Sequence, residues 1–316
     1  MAAELLTRLF LSEIQPKLFP GNTFLSRAKN DDAYVNYNTV ELAHSGTIPA
    51  GTVDRVMLPA QVSKRTDAAT NYQLEEFTTD PTVLGYSEEL TINYNKRSSI
   101  LDQHANTLNK LTGDRALWRW AAGAGTFGGG HVLKSTGKTD GTTAATRTPT
   151  GPSQTGTRLP FGKDDLIKIR QLFFSDDIIT TNVDPMCVAV LTPAQYSDLS
   201  GLPNVAEAQK YGRAIFPSGV VDRILGFDVY IRSSVLVYDT SDALKAPGAA
   251  AVATDQDAAI FYHPDYVRRA VGAIVPMVQL KNPTYYGDIF SMLLRFGAAP
   301  TRNDNKGVVV MMEDNG

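Results

Sequence analysis

The clearest hydrophobic pattern in the chain lies in residues 99–121. Ser99 followed three residues later by Asp102 is typical of a capping box. Apolar residues then recur at helical spacing on one face, at Leu101, Ala105, Leu108 and Leu111. The pattern predicts one helix roughly 33 Å long, at about 1.5 Å per residue. Because glycine costs about 1 kcal/mol relative to alanine in a helix, Gly113 predicts a bend or a close neighbour.

A two-stranded ribbon is predicted before this helix. Side chains alternate from Tyr34 to Thr39, and a second extended stretch from Tyr72 to Phe77 follows a tip near Ser45 to Gly51. Such a ribbon has too few apolar residues to be stable alone in water, so it should lie against another surface. Residues 1–30 show no regular period and predict an arm with a short helix.

The second half of the chain predicts strands and shorter helices. Residues 123–162 are rich in Gly and Thr and predict an irregular insertion. The segment DDLIKIRQLFF predicts a helix with Asp164 as its N-cap. The apolar segment MCVAVL predicts a buried strand, followed at once by a helix that Thr192 caps and Gly201 ends.

The C-terminal third predicts mainly strands, in the segments GFDVYIRSSVLVYD, AAIFYH, DIFSMLLRFG and GVVVMM. The last two have matching lengths and are expected to form an antiparallel pair. One long helix, several shorter helices and several sheets together indicate an α+β fold.

Composition narrows the possible functions. The chain has 316 residues, of which 43% are hydrophobic, enough to fill a large core. Its 30 Lys and Arg against 33 Asp and Glu give no overall basic field that would attract nucleic acid. The single cysteine, Cys187, lies in an apolar run and is expected to be buried, which suits a reducing compartment. No window is long enough for a membrane span.

The sequence predicts no catalytic residue, no cofactor and no metal, and therefore no enzyme. Gly137-Lys138-Thr139 ends like a phosphate-binding loop, but that motif needs a glycine where the chain has Val132. The four histidines are far apart in the sequence and form no His-x-x-x-His pair. A nucleotide-binding enzyme therefore stays only as an alternative of a different class.

The long helix carries basic and aromatic candidates. Lys110, Arg115 and Arg119 are a local basic excess, which either faces a polyanion such as DNA or forms a solvated helix face. Trp118 and Trp120 lie two positions apart and point to different sides, which favours core or subunit packing over base stacking.

The order of these parts resembles the major capsid protein of tailed bacteriophages, the family whose fold is named for phage Hong Kong 97. The segments that carry the resemblance are TTDPTVLGYSEELTINYNKRSSIL, VAVLTPAQYSDLS, ILGFDVYIRSSV and DIFSMLLRFGAAPTRNDNKGVVVM. The resemblance implies an N-terminal arm (1–30), an extended loop (31–80) and a first part of a peripheral domain (81–160) with the spine helix 99–121. It further implies an axial domain (161–257) and a β-rich return to the peripheral domain (258–316).

The same resemblance implies a virion protein, assembled in the cytoplasm of a host bacterium. Copies of the chain would form hexamers and pentamers of an icosahedral shell around double-stranded DNA. Because the chain begins directly with the arm, a separate scaffolding protein is expected, together with a portal, a possible decoration protein and no membrane. An encapsulin-type compartment shell, or another phage head or tail part, is the alternative. Lys64 is a candidate for covalent crosslinking, but no matching acid and asparagine environment is visible.

Residues that contact a neighbouring subunit are expected on the arm, the ribbon and the long helix. The candidates are Phe19, Phe24, Tyr34, Tyr37, Leu74, Phe77, Trp118 and Trp120.

Overall fold

The structure, a computed structural model, describes residues 22–44, 51, 53–54, 56, 62, 68–85, 96–138, 144–149, 151, 153–179, 187–201, 223–224, 226–302 and 304–315. Phe19, Lys64, most of the predicted arm and most of the ribbon tip lie outside the described residues.

Helices and strands alternate irregularly along the described chain, as expected for an α+β fold. The helices are α1 (Lys96–Ala121), α2 (Lys163–Ser175) and α3 (Pro193–Ser200). The strands are β1 (Lys29–Asn30), β2 (Val35–Asn36), β3 (Thr39–His44), β4 (Ala68–Gln73), β5 (Glu75–Thr78), β6 (Thr82–Gly85), β7 (Val132–Lys134), β8 (Cys187–Leu191), β9 (Arg223–Ile224), β10 (Phe227–Ile231), β11 (Leu236–Tyr238), β12 (Gln256–Tyr262), β13 (Val267–Asn282), β14 (Gly287–Pro300) and β15 (Val308–Met312).

The strands form two large sheets and one small one. The long sheet has the order β1-β13-β14-β5, and β6 also pairs with β14. The second sheet, with seven strands, has the order β7-β15-β12-β8-β10-β9, and β11 also pairs with β12. The small sheet is the ribbon, β2-β3-β4.

Helix α1 confirms the predicted long helix but corrects both its start and its buried face. It begins at Lys96, so Ser99 already lies inside the first turn and does not cap it. Leu111 is 42% exposed, whereas Thr112 is buried and its hydroxyl donates to the carbonyl of Leu108. The buried positions follow the 3.6-residue repeat, which places residue 112 and not residue 111 towards the core.

The predicted close neighbour of Gly113 is present. A Cβ at this position would lie 2.7 Å from the guanidinium of Arg232 and 2.7 Å from the side-chain oxygen of Asn22. Glycine therefore permits close packing of the Arg232 and Asn22 side chains here, which offsets its low helix propensity.

The C-terminal end of α1 joins the two large sheets. The indole N–H of Trp120 donates to the carbonyl of Arg268 on β13, in the long sheet (2.9 Å). Its ring lies 5.1 Å from the ring of Tyr262 on β12, in the seven-stranded sheet, and 6.0 Å from Phe24. The phenol of Tyr262 donates in turn to the carbonyl of Phe24 (3.0 Å). One continuous core therefore connects both sheets through this helix.

The two shorter helices begin with side-chain caps. Thr192 and Gln195 form a reciprocal capping box at α3, and Gly201 follows its last residue, as predicted. At α2 the prediction was wrong, because the N-cap is Gly162 and not Asp164. The carboxylate of Asp165 accepts from the backbone N–H of Gly162 (3.0 Å), so the acid that caps the helix lies at the third helical position.

The predicted pairing of the last two strands is wrong. Strand β14 pairs with β13, β5 and β6 in the long sheet, whereas β15 pairs with β12 and β7 in the seven-stranded sheet. Both edges of β14 are already occupied, so β15 has no place beside it. The predicted return segment 258–316 is consequently divided between the two sheets, and the other domain boundaries stay predictions.

Cys187 is buried, as its apolar surroundings predicted. No helix among the described residues is long and apolar enough to cross a bilayer.

The position of Trp120 between the sheets predicts a large effect of its truncation. Trp120→Ala should lower the free energy of unfolding by about 3–5 kcal/mol, because it leaves a cavity at the junction. Trp118→Ala is the matched control, since its ring is only half-buried, and should cost about 1 kcal/mol. Urea unfolding followed by circular dichroism measures both variants. Equal losses in the two variants would contradict this account of the core.

Candidate assembly surfaces

The ribbon is present as a pair of antiparallel strands. Strands β3 and β4 pair from Thr39 opposite Gln73 to His44 opposite Ala68, so a paired extension is present, but its predicted strands are wrong. Residues 34–39 contain a hairpin turn between β2 and β3, and Glu75–Thr78 belongs to the long sheet. Three described valines in the connection between them are almost fully exposed, Val53 at 89%, Val56 at 93% and Val62 at 95%. Exposed apolar side chains on a projecting ribbon are typical of an interaction surface.

The base of the ribbon is held by apolar packing against the long sheet. Val40 and Leu74 are buried with Ala270 of β13 in a small separate cluster. Gly272 leaves room for this contact, because a Cβ there would lie 2.7 Å from a methyl group of Leu74. Strand β13 also has a register shift between Val271 and Ile274, at the place where the ribbon packs.

A buried carboxylate completes the anchor of the ribbon. Asp31, whose side chain is 1% exposed, accepts from the guanidinium of Arg268 (2.8 Å) and from the phenol of Tyr72 on β4 (3.0 Å). Burial and the neighbouring charge of Asp31 raise the pKa of Tyr72, so its hydroxyl stays protonated and keeps donating. The adjacent Asp32 accepts from the backbone N–H of Val271 (2.6 Å). The acidic pair thus fastens the ribbon to β13.

The predicted DNA-facing arginines have a partner within the chain. Glu75 of β5 accepts from Arg115 (2.9 Å) and from Arg119 (3.1 Å). Burial acts to raise the pKa of Glu75, but the hydrogen bonds and charges of the two arginines outweigh it and lower the pKa below its ordinary value. These contacts bind α1 to β5, so the charge of both guanidinium groups is partly neutralised.

Trp118 lies beneath the same two arginines. Their guanidinium carbons lie 4.3 Å (Arg115) and 5.1 Å (Arg119) from the centre of its ring, within the range of cation–π contacts. Its ring is therefore covered on this side and does not present an open stacking platform. Lys110 differs from the two arginines, because its side chain is exposed.

Several predicted subunit contacts are instead part of the chain's own core. Phe24, Leu74 and Trp120 are at most 3% exposed, so the folded chain does not offer them to a neighbour. Their surroundings are set by contacts distant in sequence, which local pattern does not reveal. Phe77 is half-buried and packs 6.3 Å from the ring of Phe296.

Tyr34 and Tyr37 are accessible, at 61% and 95% exposure. Both lie next to β2 at the start of the ribbon and remain predicted contacts.

A further exposed surface was not predicted from the sequence. Val275 and Met277 of β13 are 40% and 49% exposed, and Tyr285 and Tyr286, in the turn between β13 and β14, are 59% and 80% exposed. The continuous apolar run of residues 273–278 is the signal that could have identified this strand, but Gly272 and Pro276 obscured it.

The Gly-Lys-Thr segment does not have the geometry of a phosphate-binding loop in its described part. Strand β7 precedes it, but the carbonyl of Gly137 accepts from the N–H of Ala145 (2.8 Å), and the next helix among the described residues, α2, begins only at Lys163. Among the described residues no group of three or more His, Cys, Asp or Glu side chains is placed to bind a metal ion.

Comparisons with known proteins give matches to solved structures only. No protein-family model and no curated protein sequence matches the chain. The capsid of the cyanophage P-SCSP1u has a TM-score of 0.63 at 13% identity, covering 92% of this chain and 87% of that one. The capsid of Ralstonia phage GP4 has a TM-score of 0.58 at 14% identity, with coverages of 92% and 87%.

A virus-like particle from Pyrococcus furiosus is also similar, with a TM-score of 0.51 at 10% identity. That match covers 96% of this chain and 98% of the other. The chain therefore has the α+β fold of phage capsid proteins over almost its whole length, and the resemblance seen in the sequence is confirmed at the level of the fold.

The ribbon anchor predicts a local effect of Asp31. Asp31→Ala should destabilise the ribbon base by about 3 kcal/mol, since it leaves the charge of Arg268 buried without its partner. Hydrogen exchange should become faster in peptides covering residues 68–78 and stay unchanged in α1. Asp80→Ala, at an exposed position, is the control and should behave like the parent chain. Unchanged exchange in Asp31→Ala would show that the carboxylate does not hold the ribbon.

Proposed function

We propose that the chain is a major capsid protein that assembles with copies of itself into a closed icosahedral shell around the double-stranded DNA of a tailed phage. The observation that carries the proposal is the ribbon, whose base is fixed to the body while valines beyond it are exposed. The capsid fold of the chain supports the same function. In this proposal the role is structural and not catalytic.

Exposed apolar side chains on the ribbon give a physical reason for assembly. A two-stranded ribbon is at best marginally stable in water, and burying its apolar side chains against a sister copy would stabilise it. Such a contact joins two different surfaces, so it repeats from copy to copy and closes into a ring when the rotation allows. Hexamers and pentamers of one chain are the expected rings. Tyr34 and Tyr37 would contribute at the base of the same contact.

The partners of the shell follow from the same proposal. A separate scaffolding protein, a portal and a possible decoration protein are proposed partners, and assembly takes place in the cytoplasm of the host bacterium. Lys110 is the best candidate of the three basic residues for contact with packaged DNA, because it is exposed while Arg115 and Arg119 bind Glu75.

A second candidate function is an encapsulin-type compartment shell. The observation that favours this second function is the similarity to the virus-like particle from Pyrococcus furiosus, which covers almost all of both chains. Analysis of the contents of purified particles separates the two functions. Nuclease-protected double-stranded DNA in particles from infected cells supports the phage shell, and a specific enclosed enzyme supports the compartment.

The ribbon valines predict an assembly defect without a folding defect. A triple variant, Val53→Ser, Val56→Ser and Val62→Ser, should keep the circular dichroism spectrum and urea midpoint of the parent chain, because these side chains are exposed. Electron microscopy of the expressed protein, with its scaffolding protein if one is needed, should show closed shells, tubes or rings for the parent chain. The variant should show at least tenfold fewer such assemblies.

Val252→Ser changes a half-exposed valine outside the ribbon and serves as the control, which should assemble normally. Normal assembly of the triple variant would show that the three ribbon valines are not part of the interface between copies. A parent chain that stays monomeric under all conditions would contradict the proposed function itself.

A further inference from the structure

A buried ionic cluster connects the Gly/Thr-rich insertion to the end of the chain. Arg147 of the insertion donates to Asp198 of α3 (3.0 Å) and also to Glu313, which directly follows β15. The side chain of Glu313 is 1% exposed and that of Asp198 is 11% exposed. Gln195 donates a further hydrogen bond to Glu313 (3.0 Å).

A second arginine and a third acid extend the cluster. Gln154 of the insertion donates to the carboxylate of Asp257 on β12 (2.9 Å). Arg158, 2% exposed, donates to the backbone carbonyl of Asp255 (2.8 Å). The backbones of the two arginines are also hydrogen-bonded to each other, because the N–H group of each donates to the carbonyl of the other (2.8 Å). Residues 144–159 of the insertion are thus fastened to the seven-stranded sheet largely through polar and charged groups, whereas an earlier part of the insertion contributes β7 to that sheet.

The charges in this cluster do not balance when every acid is ionised. Three carboxyls, those of Asp198, Asp257 and Glu313, face two guanidinium groups, those of Arg147 and Arg158. The remaining charged neighbours are already paired with each other. They are Asp255 with Lys245 (2.7 Å), and Lys134 with both Asp242 (3.0 Å) and Asp314 (3.5 Å), so none of them supplies a spare positive charge. An excess buried negative charge is costly, and keeping one proton in the cluster removes it.

We propose that these five side chains form a proton-controlled latch that holds the insertion closely against the seven-stranded sheet while Glu313, the most deeply buried of the three acids, keeps its proton. When all three acids ionise, the latch holds the insertion less tightly. The inference does not depend on the proposed function, because it concerns contacts within a single chain.

The titration of the acids agrees with the geometry. Burial raises the pKa of Glu313 to about 7, despite the opposing charge of Arg147. Burial also raises the pKa of Asp198 and that of Asp257 above their ordinary values. A carboxyl whose pKa is higher in the closed than in the open state binds its proton more tightly when closed. The latch is therefore most stable near and below the ordinary pKa of 4.5, and it weakens as the pH rises through about 7.

Hydrogen exchange of the full chain tests the latch. In peptides covering residues 144–159, the opening frequency, corrected for the intrinsic effect of pH, should be about tenfold higher at pH 8 than at pH 6. Peptides from α1 should change by less than twofold and serve as the internal reference. An insertion whose corrected exchange is the same at both pH values would overturn the proposal, and this result needs no variant.

Glu313→Gln imitates the protonated acid without a titrating group. At pH 8 its insertion should exchange as slowly as that of the parent chain at pH 6, and its pH dependence should fall to twofold or less. Glu41→Gln, on the exposed face of β3, is the matched control and should retain the full pH dependence. Full pH dependence in Glu313→Gln would also overturn the proposal, because the proton would then be held elsewhere.

Discussion

The packing of Trp120 between two sheets is the interaction on which the rest of the structure depends. Its ring contacts Tyr262 in the seven-stranded sheet, and its indole N–H donates to the backbone of β13 in the long sheet. Because α1 contributes its buried face to a core shared by both sheets, this helix helps to fix their relative position. The resulting frame carries two further segments, the ribbon and the insertion.

These two segments are fastened to the frame by different kinds of contact. The ribbon base combines an apolar cluster around Leu74 with the buried carboxylate of Asp31, whereas residues 144–159 of the insertion depend largely on the charged groups around Arg147. Ion pairs with a buried, unbalanced charge respond to pH more strongly than apolar contacts do. A shell built from this chain would therefore have a firmly directed ribbon and an insertion whose hold on the frame is adjustable.

Local signals predicted those elements whose determinants are close together in sequence. The long helix and the strand and helix around Thr192 were predicted because spacing and caps encode them directly. A ribbon was also predicted, but alternation placed its first strand at residues 34–39 and not at β3. Strand β13 was missed because Gly272 and Pro276 interrupt the strand signal, although both are accommodated at a bulged, partly exposed strand. Matching strand lengths suggested the wrong partner for β15, since length carries no information about which sheet a strand joins.

Burial and ionic contacts were the least predictable features. The sequence gives no sign that Phe24 is buried in the core while Tyr37 is exposed, because contacts with distant strands decide both. Arg147 and Glu313 are 166 positions apart, so the latch becomes visible only in the folded chain. The ion pairs of the candidate basic residues were equally unpredictable, because Arg115 and Arg119 lie on α1 and their partner Glu75 lies on β5.

The central claim is that the ribbon beyond its anchored base gains its stability from a sister copy. Hydrogen exchange of residues 39–73, compared between dissociated chains and assembled particles of the same preparation, tests this most directly. We expect residues 41–44 and 68–71, which lie beyond the anchored base, to exchange slowly in the particles and fast in the dissociated chains, with α1 equally protected in both. Equal protection of the ribbon in both states would contradict the account, because the ribbon would then owe its order to its own chain.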